Sequence, residues 1–238
     1  MGVQFPTERF GLFAFILNIM EELLRLWLWG YFKIFHRMRW KGMHLIPKTG
    51  PCIVASNHAS FYDPAAVGTA IRRRMRFMAY IQFFKLPGIG QLMRFAGAFP
   101  VDTAKADRSA YENALRVLRD DGDLVIIFPE GGRTRSGALN PLKPGTARIA
   151  LNADAWIVPT VVLGPEESWP YDKCVPRFFI PFSVKYYPPF RVERPESKAD
   201  LDQAIDEVNR RIMEIWRRRI RAHQRLRARR GKPGTYHA

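Results

Sequence analysis

The chain predicts an α/β fold: a largely parallel, mixed sheet flanked by helices. An N-terminal amphipathic membrane-associated helical segment precedes it and a basic C-terminal helix follows. Three observations carry this reading. From about Met43, short strand-like runs alternate with short helical patterns, the order that lays helices over a parallel sheet. Leu124-Val125-Ile126-Ile127-Phe128 is continuously apolar, as a strand buried on both faces must be. Both ends of the chain carry long helical periodicities bordered by basic residues. With 238 residues, 47% of them apolar, the chain can bury one sizeable core. The divisions are 1–42 for the amphipathic segment, 43–196 for the central domain, and 197–238 for the basic helix and tail.

Phe10 to Phe35 reads as one long helix. Its uncharged run from Phe10 to Met20 is shorter than the roughly 20 residues a bilayer span takes. Asn18, Glu21, Glu22, Arg25 and Lys33 form a narrow polar stripe on an otherwise apolar cylinder rich in Trp and Leu. Lys33, Arg37, Arg39 and Lys41 follow it. Such a helix suits the plane of a membrane surface. The alternatives are a helix packed on the protein's own core and a tilted span.

Within the central domain, Cys52 to Ser56 reads as a strand, and Asp63-Pro64 opens a helix reaching about Ile71. Strands follow at Met75 to Tyr80, Phe99 to Val101, Leu124 to Phe128 and Trp156 to Leu163. Helices are expected over Phe84 to Phe95, after a Pro-Gly interruption, and over Ser109 to Asp120 and Gly145 to Asn152. After a linker from Glu193 to Lys198, Ser197 caps a last helix with Asp200 three residues on. Leu201, Ile205, Val208, Ile212 and Ile215 give it one apolar stripe, which beyond Trp216 fades into arginines. Residues 231–238 are expected to be disordered.

A formal charge of +16 points to anionic partners, whether lipid head groups, nucleic acid or phosphorylated metabolites. No zinc-finger or RNA-recognition signature accompanies the arginines, which makes nucleic acid the weaker choice. The two cysteines, Cys52 and Cys174, form neither a disulfide framework nor a zinc pattern. Myristoylation is not expected, because the required Ser/Thr is missing after Met1-Gly2. Glu8 ahead of the apolar run speaks against a secretory signal.

Two segments carry chemistry. Asn57-His58-Ala59-Ser60-Phe61-Tyr62-Asp63 puts an imidazole and a carboxylate at a turn entering a helix. A continuous helix would hold those side chains about 140° apart; a turn can fold Asp63 back onto His58. A carboxylate so placed fixes the ring tautomer and favours the imidazolium, the arrangement of a general base. Of the five histidines only His58 is placed this way; the others sit in basic or terminal contexts. The second segment, Phe128-Pro129-Glu130-Gly131-Gly132-Arg133-Thr134-Arg135, leaves the end of the apolar strand, where open α/β sheets hold ligands. Gly131 allows close backbone approach. Arg133 and Arg135 can grip phosphate or carboxylate. Glu130 is expected to hold an arginine or accept a bond from a substrate hydroxyl. No Gly-x-Ser-x-Gly, P-loop or second histidine at ligand spacing occurs, so neither a covalent acyl-enzyme nor a metal site is expected.

The pair Asn57-His58-x4-Asp63 and Phe128-Pro129-Glu130-Gly131-x-Arg133 resembles the glycerolipid acyltransferases, in particular the 1-acylglycerol-3-phosphate acyltransferase type. The likeness runs from about Met43 to Pro170 and includes Lys85-Leu86-Pro87, Gly97 to Asp102, Lys143-Pro144-Gly145 and Val158-Pro159. The resemblance marks the central domain as an acyltransferase domain. It implies transfer of a fatty acyl chain from acyl-coenzyme A or acyl carrier protein to a lysophospholipid hydroxyl, with no cofactor. His58 would be the base and Asp63 its support, with Glu130, Gly131, Arg133 and Arg135 at the acceptor. Two departures stand out: Thr103 follows Asp102 where the family often has arginine, and Tyr80-Ile81-Gln82-Phe83 replaces a Lys-x-Glu-Leu run. Lys105 or Arg108 is expected to substitute for the missing arginine. The expected location is the cytoplasmic face of the cell membrane, with membrane phospholipids as partners of a monotopic or peripheral protein.

Overall fold

The computed structural model describes residues 12–102, 104, 107–135 and 138–229. Lys105 and the terminal residues expected to be disordered fall outside them. Seven strands form one mixed sheet: β1 (Arg39–Lys41), β2 (Cys52–Ser56), β3 (Met75–Tyr80), β4 (Ala98–Val101), β5 (Leu124–Ile127), β6 (Trp156–Leu163) and β7 (Ser183–Tyr186). Their spatial order is β1-β7-β6-β2-β5-β3-β4. The five strands from β6 to β4 run parallel, β7 is antiparallel to β6, and β1 lies parallel to β7. The helices are α1 (Leu12–His36), α2 (Asp63–Gly68), α3 (Ile89–Phe95), α4 (Arg108–Arg119), α5 (Pro144–Asn152), α6 (Pro165–Ser168) and α7 (Lys198–Ala228).

The continuous apolar runs are strands because two helical layers cover them. In β2, Ile53 and Ala55 join one core with Val125, Ile127, Ile157 and Val161, under α4, α5 and α7. Cys52 and Val54 point the other way and join Leu124, Ile126, Val158 and Val162, under Phe32 of α1 and Ala66 and Val67 of α2. Alternate residues of one strand therefore feed opposite cores. Every residue of β2 and β5 is buried.

Two elements differ from expectation. The helix expected over Phe84 to Phe95 is broken into a 3₁₀ turn (Ile81–Lys85) and α3. Pro87 and Gly88, the latter at φ 75°, divide them. The sheet also reaches into the segment assigned to the N-terminal helix, since β1 pairs Arg39 with Ser183 and Lys41 with Lys185.

The long helices resolve as follows. Ser197 caps α7, its Oγ accepting from the Asp200 N–H at 3.1 Å. Ile205, Val208, Ile212, Trp216 and Ile220 are buried, so the stripe extends one turn beyond its expected fade. In α1 the final turns pack on the protein itself. Phe32 and His36 are fully buried, and His36 stacks on Phe182 at 4.1 Å, so it sits in an aromatic cluster and not a basic one. Burial lowers its pKa, and its Nδ1 donates to the Ile180 carbonyl at 3.1 Å. Farther up α1, Leu23, Leu26, Trp27 and Trp29 stay exposed, as does Ile34 on the outer side of the last turn. Among the described residues no helix is long and apolar enough to cross a membrane.

Candidate active site

The carboxyl ends of β2, β5 and β6 meet at the centre of the sheet, and the two chemical segments leave the first two. Past Ser56, Asn57 continues the β2–β6 ladder with its side chain: Nδ2 donates to Val162 O at 3.0 Å, and Oδ1 accepts from Val162 N–H at 2.8 Å. The chain then turns at residues 58–62 and enters α2, with Pro64 in its first turn.

This turn is built around one oxygen. Asp63 Oδ2 accepts from the Ala59 N–H at 2.6 Å, the Ser60 N–H at 2.8 Å and His58 Nδ1 at 2.9 Å. Asp63 is buried, and three donors converging on one oxygen hold its carboxylate as an acceptor. The proton of a neutral imidazole is thereby fixed on Nδ1, which leaves Nε2 as a lone pair able to take a proton. The expected fold-back of Asp63 onto His58 is therefore present. Phe128, the residue after β5, stacks on the imidazole at 4.1 Å and fixes its plane.

Glu130 departs from the role expected of it. Its Oε1 accepts from the His58 N–H and its Oε2 from the Asn140 N–H, both at 2.9 Å. The carboxylate is buried, so it ties the His58 turn to the chain beyond the β5 loop and does not hold an arginine. Burial pushes its pKa up to about 7, against the two backbone bonds, and the Asp63 charge adds to the rise. Burial likewise raises Glu166, just past β6, to about 7. Thr134 completes the stitching by donating its N–H to His58 O at 2.9 Å. Gly131 turns at φ 71°, and a Cβ there would lie 2.5 Å from the Lys143 side chain.

Arg133 is held by ring faces. Its guanidinium carbon lies 3.5 Å from the Phe61 ring centroid and 4.5 Å from that of Tyr171. Nη1 is buried and has no hydrogen-bond partner among the described residues. Burial lowers the Arg133 pKa, partly offset by Tyr171 and Asp63, and an arginine so shifted still carries its charge at neutral pH. Arg135 is exposed and donates to Tyr171 Oη at 2.9 Å. Arg108 starts α4, after the edge strand β4, which lies three places from β2 in the sheet; its guanidinium bonds exposed Glu112 at 2.7 Å. Among the described residues no group of His, Cys, Asp and Glu is placed to hold a metal ion.

Phe61, Trp169 and Tyr171 belong to the site without having been singled out as binding residues. Trp169 packs on Phe61 at 5.1 Å and on Tyr62 at 5.1 Å. The only hint in the sequence is the density of aromatics and prolines between Trp169 and Phe182.

A family model described as Acyltransferase matches residues 37–163, more than half of the chain. The 1-acyl-sn-glycerol-3-phosphate acyltransferase of Limnanthes douglasii is 29% identical over 73% of this chain and 60% of its own length. That of Bacillus subtilis (strain 168) is 28% identical over 66% of this chain and 74% of its own. The chain thus spans less than two thirds of the Limnanthes relative. The crystal structure of the 1-acyl-sn-glycerophosphate acyltransferase PlsC from Thermotoga maritima superposes with a TM-score of 0.63 at 24% identity, covering 88% of this chain and 84% of that one. At that identity the likeness speaks for the fold.

Proposed function

The chain belongs to the Acyltransferase family, and from that premise we propose that it is a membrane-associated O-acyltransferase. It moves a fatty acyl chain from acyl-coenzyme A or acyl carrier protein to the free hydroxyl of 1-acylglycerol-3-phosphate. The observation that carries this is the juxtaposition of a tautomer-fixed His58, its Nδ1 committed to Asp63, with Arg133, whose Nη1 has no partner among the described residues, across the stitched loops.

His58 Nε2 takes the hydroxyl proton as the acceptor oxygen attacks the thioester carbonyl. The tetrahedral intermediate then expels the thiolate, the C–S bond breaks, and the imidazolium returns its proton to sulfur. Asp63 stabilises that imidazolium. Arg133 and Arg135 hold the acceptor phosphate, and Glu130 positions the His58 backbone. The exposed apolar side of α1 seats the domain on the cytoplasmic leaflet. Exposed Arg217, Arg218, Arg221 and Arg225 of α7 add lipid attraction, about 1 kcal/mol each where they approach the surface.

The test is thiol release by the purified chain from acyl-coenzyme A with 1-acylglycerol-3-phosphate. His58→Ala is expected to lower the rate at least about a hundredfold. Turnover like wild type in that variant overturns the base assignment, and no wild-type turnover on any lysolipid with either donor overturns the activity.

A further inference from the structure

The loop between α6 and β7 is stiff, apolar and exposed at once. Its neck is closed by Ser168 and Arg177: the Arg177 N–H donates to Ser168 O at 2.7 Å, and Ser168 Oγ donates to Arg177 O. Trp169 Nε1 donates to Lys173 O at 2.9 Å inside it. Pro170 and Pro176 restrict the backbone further. From this frame Val175 projects with 72% of its surface exposed, Phe179 with 66% and Phe178 with 47%.

Phe179 is held in a conformation that favours glycine, at φ 64°. Its N–H donates to Phe35 O at 2.8 Å, and the Phe182 N–H donates to His36 O at 2.9 Å. The fold thus maintains backbone strain at a residue whose ring it leaves in water. Strain of that kind clusters where a segment contacts a ligand.

We propose that residues 169–179 form a second lipid-contacting element, which beds in an anionic bilayer surface beside α1 and holds the site mouth against it. The proposal rests on the membrane-associated reading above and extends it. Continuity favours it: Trp27 stacks on Tyr31 at 5.7 Å, Tyr31 meets Phe35 at 5.2 Å, and Phe35 meets Phe178 and Phe179 at 5.6 and 6.0 Å. One aromatic row therefore runs from the exposed side of α1 into the loop. Charge favours it too. Exposed Arg37, Lys173 and Arg177 border the apolar tip against a single carboxylate, Asp172. The base of the loop is already a wall of the site, through Trp169 on Phe61 and Tyr171 under Arg133. Seating the tip in lipid sets the height at which a lysolipid leaving the bilayer meets His58.

The loop carries its own probe position. Cys174 is exposed, whereas Cys52 is buried with its thiol pushed up to about 12, so a polarity-sensitive fluorophore reacts at Cys174 alone. On adding phosphatidylcholine–phosphatidylglycerol vesicles to the labelled full chain, emission is expected to brighten and shift to the blue. Val175→Ser with Phe179→Gly is expected to weaken vesicle partition about tenfold. Its melting temperature should not fall, because glycine accepts φ 64° without strain. Turnover of dispersed short-chain substrates should stay at the wild-type level while turnover on vesicles drops. Co-sedimentation with an unshifted label overturns the loop's role and leaves α1 as the anchor. Failure to sediment at all overturns the membrane reading as well. Neither readout of binding depends on acyl transfer, so the reaction assigned to His58 stands or falls separately.

Discussion

The turn after β2 and the loop after β5 leave neighbouring strands, yet they are built by opposite means. In the first, one Asp63 oxygen accepts three hydrogen bonds, and a Glu130 oxygen accepts a fourth bond from the His58 backbone. The imidazole has little freedom left. In the second, Arg133 is steadied by two aromatic faces, and its buried Nη1 has no partner among the described residues. A cation on ring faces holds its direction without committing Nη1 to an acceptor among the described residues. On the proposed reading, the proton-handling half of the site is assembled beforehand, and the anion-holding half is completed by what binds there.

The comparison breaks first at Asp63. Asp63→Asn keeps an oxygen for the backbone donors but removes the charge opposite the imidazolium. The turnover number is expected to fall about 10²- to 10⁴-fold, with little change in KM. A near-normal turnover number, measured by thiol release at saturating acceptor, would mean that the preformed half does not act through its carboxylate.

Arg133→Ala probes the other half. Losing charge-assisted bonds worth about 1.5–3 kcal/mol is expected to raise KM for lysophosphatidic acid about 10- to 100-fold. The turnover number should stay within about threefold, and a phosphate-free monoacylglycerol should show no such penalty. An equal loss on both acceptors would remove the phosphate from the account.

Glu130→Gln tests the stitch between the halves. One of its two N–H partners then faces an amide NH₂, a net cost of about 1 kcal/mol, read from the urea midpoint at pH 8. The sign of the pH dependence is set by the raised pKa of about 7 against a usual value of 4.5. The folded state binds the proton more tightly. The contribution of Glu130 to stability is therefore fully present below about 4.5 and lost as pH rises through 7. The variant should show a shallower slope across that window. Glu166, also at about 7, contributes the same sign and remains. An unchanged slope would mean that Glu130 is ionised as readily folded as unfolded.

The smallest effect is expected at Tyr171. Tyr171→Phe removes the bond to Arg135 but keeps the ring under Arg133, so KM should move by less than about twofold. A large rise would mean that the hydroxyl, and not the face, steadies the arginines.

What could be read in advance was what is local. The strands Cys52–Ser56 and Trp156–Leu163 match the expected spans to the residue, because an uninterrupted apolar run bounded by turns has few other solutions. The Asp63-Pro64 turn was legible because proline restricts the residue before it. Glu130 was assigned to the site but not to its partner, since the His58 N–H lies 72 residues away and no spacing announces it. The bond of Arg108 to Glu112 on its own helix, and the place of β4 at the sheet's edge, could not be read from chain order. Tyr171 and Trp169 come from an irregular loop without periodicity, and β7 is four residues among prolines and aromatics.

The amide of Asn57 acts as an end stop on the seam between β2 and β6. A replacement must offer both a proton and a lone pair to Val162 at the same reach, in a spot closed to solvent. Aspartate lacks the proton, and aliphatic groups lack both. That flank of the site is in effect riveted, whereas on the opposite flank arginines lean on rings, contacts that many other side chains could replace.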